Sequence, residues 1–293
     1  MSRVAYVNGR YVPHRAAQVH IEDRGYQFAD GVYEVFAVHR GGLIGEKGHM
    51  ERLAHSLGSL RIDWPMSRRA VAFIVREVAR RNRVRNGIVY LQITRGVARR
   101  DHPFPKGVKS ALVVTARAMP PIDKQALRKG VAVITIPDIR WKRRDIKSIS
   151  LLPNVLGKQQ AREAGAYEAW QVDDDGTVTE GTSSNAWIVT KKGELVTRNP
   201  GHAILNGITR LTVLEAAAEA GIAFKQRPFT VAEAIEAKEA FVTSSSSHVK
   251  AVTSIDGHSI GNGHVGELTG RLLDVYMDYI EGPGGPLNPG PWN

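Results

Sequence analysis

Two short alternating runs open the chain. Val4-Ala5-Tyr6-Val7 and Arg10-Tyr11-Val12 stand either side of Asn8-Gly9, a pair suited to a two-residue turn whose central residues both take positive φ, and this predicts a hairpin. A second extended run covers residues 32–38. Helical spacing then takes over: Met50, Leu53, Ala54, Leu57 and Leu60 mark one amphipathic helix, and Phe73, Ile74, Val78 and Ala79 mark another over 71–84. Residues 88–94 and 111–116 are apolar, β-rich runs. Met119-Pro120-Pro121-Ile122-Asp123 cannot continue a central strand, because proline donates no hydrogen bond, so a linker is expected at 119–123. It would separate a smaller domain, 1–118, from a larger one, 124–281.

Beyond the linker the pattern predicts a strand over 131–136 and a helix over 151–164 closed by Gly165. Two hairpins follow. Strands 168–172 and 178–180 flank Asp173-Asp174-Asp175-Gly176, and strands 186–190 and 194–197 flank Lys191-Lys192-Gly193. Helices are expected over 208–220, after the capping box Thr230-Val231-Ala232-Glu233, and over 266–280, with a Gly/Pro-rich, disordered tail at 282–293. Clusters of strands mixed with helices indicate an α+β (mixed α/β) fold of two domains rather than strict βαβ alternation.

Composition narrows the function classes. The 293 residues are 42% hydrophobic and 24% charged, which is globular usage, and no run of about eighteen apolar residues suggests a membrane span. With no cysteine, disulfides, thiolate nucleophiles and Cys-ligated metal are excluded. No apolar leader stands at the N-terminus, so a cytoplasmic location is expected. The 40 Lys and Arg against 29 Asp and Glu give a net charge of +11, in separate clusters at 76–85, 99–100 and 140–147. Only Trp141 interleaves with them, so solvated faces and arginines holding small anions are expected rather than a nucleic-acid stripe. The ten histidines show no HxH or HExxH spacing, so no metal is expected. Walker, G-x-G-x-x-G and G-x-S-x-G motifs are absent too.

Some polar residues sit where chemistry could use them. Lys158 falls three residues after Val155, on the apolar row of its helix. Solvation of its amine is the ordinary outcome, but burial there would make it a candidate nucleophile for a Schiff base. Thr179-Glu180-Gly181-Thr182-Ser183-Ser184-Asn185 ends a strand with a carboxylate and a run of small donors, and could equally be a polar turn. Asn206-Gly207-Ile208-Thr209-Arg210 opens a helix, where free N–H groups attract an anion such as phosphate. Hydroxyls cluster again at Thr243-Ser244-Ser245-Ser246-Ser247.

Taken in order, these pieces resemble the fold-type IV pyridoxal-phosphate enzymes, the family of D-amino-acid and branched-chain aminotransferases and aminodeoxychorismate lyase. The likeness runs from the first hairpin to the last helix. It rests on Arg24-Gly25-Tyr26-Gln27-Phe28-Ala29-Asp30-Gly31-Val32-Tyr33-Glu34, His49-Met50-Glu51-Arg52-Leu53 and Asp145-Ile146-Lys147-Ser148 leading to Lys158. Glu180-Gly181-Thr182-Ser183-Ser184-Asn185, Gly207-Ile208-Thr209-Arg210 and Phe241-Val242-Thr243-Ser244 complete it. The resemblance implies two domains with the cofactor between them, and a homodimer taking amino acids and 2-oxo acids. It implies Lys158 as the covalent attachment and catalytic base, and Glu180 on the ring nitrogen. Leu205 would lie against the ring, and Arg52, Ile208, Thr209, Ser244 and Ser245 on the phosphate.

Within the family the nearest likeness is to the D-amino-acid aminotransferase branch, since Arg100-Asp101-His102 carries its Arg-x-His pair. The resemblance makes Arg100, His102 and Tyr33 a trap for the substrate carboxylate, with the first two reaching across from the partner subunit. An extended segment would turn Arg100 and His102 the same way and Arg99 elsewhere. Ala37 and Pro153 depart from the branch's pattern. The alternatives are a branched-chain L-amino-acid aminotransferase, a lyase of aminodeoxychorismate type, or an inert binder of a phosphate ligand.

Overall fold

The hairpin that Asn8-Gly9 predicts is present: β1 (Val4–Val7) and β2 (Arg10–Pro13) pair antiparallel, and the two turn residues take φ of 44° and 97°. The computed structural model describes residues 3–282 and 287–288. The chain divides into two compact units. Of the described residues, one unit holds those up to Ile122, takes back Ile146–Ser150 and includes Leu287–Asn288; the other holds Asp123–Asp145 and the chain from Leu151 to Gly282. The stretch expected to be continuous over 124–281 is therefore interrupted. Backbone bonds explain the return: the Tyr33 N–H donates to the Lys147 carbonyl at 3.0 Å and the Ile149 N–H to the Gly31 carbonyl at 3.0 Å.

In the first unit the short α1 (Arg24–Phe28), capped by Asp23, leads into β3 (Gly31–His39) and β4 (Gly42–Ile44). Then come α2 (Glu46–Leu60), α3 (Arg68–Arg81), β5 (Gly87–Thr94) and β6 (Ala111–Ala118). The sheet is antiparallel, in the order β4-β3-β5-β6-β1-β2. Leu53 and Leu57 of α2 and Val71, Val75 and Val78 of α3 bury against Phe36, Val89 and Leu91 of the sheet, the contact that the helical spacing of those apolar residues builds. Leu287–Asn288 pairs antiparallel with β4, so this part of the tail expected to be disordered is a strand, its backbone completing the β4 edge. The other tail residues beyond Gly282 lie outside the described residues.

The second unit begins with α4 (Lys124–Arg128) and β7 (Val131–Pro137), then α5 (Leu152–Glu163), β8 (Glu168–Val172), β9 (Val178–Gly181), β10 (Asn185–Val189) and β11 (Leu195–Thr197). It continues with α6 (Ile208–Glu219), β12 (Phe224–Gln226), α7 (Val231–Ile235), β13 (Glu239–Ser244), β14 (His248–Ile255), β15 (His258–Ser259) and α8 (Glu267–Glu281). Its sheet runs β12-β11-β10-β13-β14-β7-β8-β9, with β15 beside β14. β7 and β8 are parallel neighbours joined through α5, whereas β8/β9 and β10/β11 are the expected hairpins. Trp170, Phe229, Ile188, Val242 and Val252 share its core. No helix among the described residues is long and apolar enough to cross a membrane.

Candidate active site

Helix α5 admits Pro153 in its first turn, where a missing N–H costs no helical bond, so this departure leaves the helix intact. Its buried residues are Gly157 and Ala161; a Cβ on Gly157 would collide with Ile136 of β7 and crowd Thr182. The apolar row is on the outside instead, with Leu152, Val155 and Leu156 exposed. Of the two outcomes left open for Lys158, solvation is the one that holds: its side chain is 45% exposed, because the small-residue row, not the apolar one, sets how the helix packs. The Lys158 Nζ donates to the Tyr167 carbonyl at 2.6 Å and to Glu168 Oε1 at 3.2 Å, and stands 4.6 Å from the centroid of the Tyr167 ring.

Glu168, which the sequence reading missed, is wholly enclosed. Beside Lys158, its carboxylate accepts from the hydroxyl of Thr182 and from Ser183 and Ser184, the latter two at 3.0 Å. The run of small residues after Glu180 therefore makes a carboxylate cradle. Glu180 itself, at the end of β9, accepts from Arg140 Nη1 at 2.6 Å, from Asn185 Nδ2 at 3.0 Å and from the Leu205 N–H at 3.1 and 3.2 Å. Burial pushes its carboxyl above the ordinary range, and the Arg140 charge and these hydrogen bonds offset only part of that. Arg140 is shared: its Nε and Nη2 hold Asp138 at 2.9 and 2.7 Å. The basic cluster at 140–147 is accordingly not all solvated face, since Arg140 and Arg144 are enclosed and ion-paired to Asp138, with Asp173 on Arg144 at 2.8 Å.

Asn185, quoted in the motif but given no role, ties these parts together. It donates to Glu180 and to the Leu205 carbonyl, and it pairs with Thr243 across β10 and β13, one residue before Ser244. A Cβ on Gly207 would collide with its carboxamide, so only glycine lets α6 start this close to β10. That helix start carries no side-chain cap, which leaves the first-turn N–H groups, those of Ile208 and Thr209 among them, without helical partners. Arg210, fully buried one residue on, donates to the Arg198 carbonyl at 2.8 Å and to Gln226 at 2.7 Å, and burial lowers it to about 10. In the serine turn, Ser244 bonds the Ser247 hydroxyl at 2.6 Å and the Ser247 N–H at 3.1 Å, and Ser247 also bonds the Tyr167 phenol. Ser245 is half-buried beside it.

Arg52, Tyr33, Arg100 and His102 belong to the first unit. Arg52 grips Glu34 with two parallel bonds, Nε to Oε1 at 2.8 Å and Nη2 to Oε2 at 2.7 Å, while His49 Nδ1 lies 2.7 Å from Oε2. Against the cost of burial, the Arg52 charge and the bonds from Arg52 and His49 hold the Glu34 carboxyl down to about 2. The charge expected to serve a phosphate is thus already matched by a carboxylate of its own unit.

Arg100 and His102 do not lie on an extended strand, as expected, but on a bent loop. Arg24 fixes it by donating to the Asp101 carbonyl at 2.6 Å and the His102 carbonyl at 3.3 Å. Both side chains still converge, on Phe28: Arg100 stands 4.6 Å and the His102 ring 5.5 Å from its centroid. Tyr33 stacks instead on Tyr90 at 5.7 Å, with Lys147 Nζ 4.2 Å from its ring, and among the described residues no hydrogen bond joins it to Arg100 or His102. Among the described residues Arg99 is exposed and no hydrogen bond or ion pair holds its side chain.

The family described as Amino-transferase class IV matches residues 31–255. Over 275 residues, 93% of this chain and 95% of the relative, the chain is 42% identical to the D-alanine aminotransferase of Bacillus licheniformis. It is 39% identical to that of Staphylococcus haemolyticus over 278 residues, 94% of this chain and 97% of the relative. Among solved structures it is similar to a branched-chain amino acid aminotransferase with pyridoxamine 5'-phosphate, with a TM-score of 0.87, 25% identity, and 96% of this chain and 94% of that one covered.

Proposed function

The chain belongs to the class IV amino-transferases, and from that premise we propose that it moves the amino group of a D-amino acid such as D-alanine to a 2-oxo acid such as 2-oxoglutarate. It is a pyridoxal-phosphate enzyme. The residues of the second unit fit that group. Hydrogen bonds link Lys158 through Glu168 to Thr182, Ser183 and Ser184, and Glu180 through Asn185 and Leu205 to the chain just before an uncapped helix start. These two networks offer an amine in the one, and in the other a carboxylate able to meet a protonated ring nitrogen next to oriented N–H groups for a phosphate. When bound, pyridoxal phosphate supplies an electron-withdrawing ring that stabilises negative charge at the amino acid's Cα.

The protein does the rest. In this reading Lys158 would hold the cofactor, and its amine, when free, would move the proton at Cα. Glu180 keeps the ring nitrogen protonated, and the burial that raises its carboxyl is relieved by a cation at that place. Arg52, Ile208, Thr209, Ser244 and Ser245 would hold the phosphate, and Leu205 would pack against the ring. Arg100, His102 and Tyr33 hold the substrate carboxylate. Because the first two gather on Phe28 and not on Tyr33 within one chain, the reading has them supplied by a second copy, and hence a homodimer.

The test is a donor panel. With 2-oxoglutarate as acceptor, D-alanine is expected to turn over far faster than L-leucine; preference for L-leucine would replace this reading with the branched-chain one. Cross-linking and light scattering are expected to give a dimer.

A further inference from the structure

We propose that Arg24 and Asp30 are positioning residues for the loop that carries Arg100 and His102, and so set how tightly the substrate carboxylate is held. The inference rests on the reading of that pair as the carboxylate trap. Residues 95–110 join β5 to β6 without a helix or strand of their own. Two exposed side chains on such a stretch have no fixed place, yet gripping one carboxylate together needs one.

What fixes them comes from α1. In an extended strand successive carbonyls point to opposite sides, whereas the Asp101 and His102 carbonyls both turn to the Arg24 guanidinium, at 2.6 and 3.3 Å. That shared donor holds the bend, and the bend brings Arg100 and His102 to the same Phe28 ring. Carbonyls of a surface loop ordinarily bond water; here an arginine whose side chain is 4% exposed takes two of them from inside.

Arg24 is in turn aimed by Asp30, three residues before Tyr33. Asp30 Oδ2 accepts from Arg24 Nε and from Arg95 Nε, both at 2.8 Å, and Oδ1 accepts from Arg95 Nη2 at 3.0 Å. Arg95 also donates to the Leu60 and Arg61 carbonyls at the end of α2, both at 2.8 Å, and its guanidinium lies 3.6 Å from the centroid of the Phe104 ring. One carboxylate thus ties both flanks of the Arg100–His102 bend to the strand that carries Tyr33 and the helix that carries Arg52. At the base of the loop the Arg24 N–H donates to the Gly96 carbonyl at 2.9 Å and the Ala98 N–H to the Glu22 carbonyl at 3.1 Å. The whole bracket lies in the first unit, so it acts on the pair whether the substrate is bound by its own copy or by a second.

Propionate has the carboxylate of D-alanine and no amine, so its inhibition constant against D-alanine reads the trap without the chemistry. Arg24→Lys keeps the charge, but one amine cannot meet Asp30 and both carbonyls. It should raise the propionate constant and the KM for D-alanine roughly fivefold to tenfold, with kcat and the cofactor Kd within about twofold of wild type. Amide hydrogen exchange of residues 98–102 in the cofactor-free full chain should quicken at least about threefold. An unchanged propionate constant in a folded Arg24→Lys protein, where Arg100→Ala raises it, overturns the proposal, and so does a fall in kcat with KM unchanged. A constant unchanged in Arg100→Ala as well strikes the carboxylate reading; exchange at 98–102 then decides alone, a quicker rate supporting the bracket and an unchanged one overturning it. Should Arg24→Lys not fold, Asp30→Asn is read in the same way.

Discussion

Glu34 and Glu180 are both enclosed carboxylates paired with an arginine, and their acidities move in opposite directions. Glu34 takes a two-pronged grip from Arg52, adds His49, and is held down to about 2. Glu180 shares Arg140 with Asp138, whose own negative charge pushes it further up. Burial costs both, and only Glu34 is fully compensated. A carboxylate so compensated gains nothing from a cationic ligand, and the pair loses much if broken. An undercompensated carboxylate bonded to the chain just before an uncapped helix start gains from a cationic ligand, which is why the partner of the ring nitrogen is assigned to the second unit.

The largest effect should come from Lys158→Ala, which removes the reacting amine and should cut transamination by at least about a thousandfold, with the melting temperature unchanged within a few degrees. Wild-type turnover in that variant would end the assignment. In the first unit the expected damage is of the other kind. Glu34→Gln strands Arg52 in the interior and should cost about 3–5 kcal/mol in denaturant unfolding. The pH dependence sharpens this. A carboxyl lowered from 4.5 to about 2 contributes its stability in full above pH 4.5, about 3 kcal/mol, and loses it as pH falls toward 2. Glu34→Gln should therefore flatten that acid limb.

Glu180→Gln should reverse the pattern, slowing the half-reaction with D-alanine by roughly a hundredfold, about 2.7 kcal/mol, while stability barely changes. Stopped-flow absorbance reads the first and thermal melts the second. Smaller still, Arg100→Ala should lose roughly ten- to a hundredfold in D-alanine kcat/KM, the worth of one charge-assisted contact of about 1.5–3 kcal/mol, with the cofactor Kd unchanged. Arg99→Ala should be silent. The reverse result would move the carboxylate trap to Arg99.

What the sequence disclosed follows the range of the forces involved. Asn8-Gly9, Gly165 and the Thr230 capping box act within a few residues, and each ends or starts its element where expected; the Thr230 hydroxyl accepts the Glu233 N–H at 3.1 Å. Strand β14 was not legible, since Lys250, Thr253 and Ser254 break the alternation and its first residue, His248, takes φ of 53°. The return of residues 146–150 to the first unit is a matter of backbone bonds to β3 and leaves no periodic trace. In the site, Lys158 and Glu180 stand in motifs. Glu168 looks like any strand-opening glutamate, because its partners arrive from residues 182–184 across a hairpin. Arg140 was hidden in a basic run whose charge is answered by Asp138, too near in sequence to stand out as its partner.

The contrast between the two carboxylates can be measured directly by titrating the side-chain carboxyl signals of ¹³C-labelled glutamate, assigned through Glu34→Gln and Glu180→Gln. The account predicts that Glu34 stays ionised down to about pH 2 with or without pyridoxal phosphate, whereas Glu180 titrates above 4.5 in the cofactor-free protein and shifts downward when the cofactor binds. A Glu180 that titrates as low as Glu34, or that ignores the cofactor while Glu34 responds to it, would contradict it.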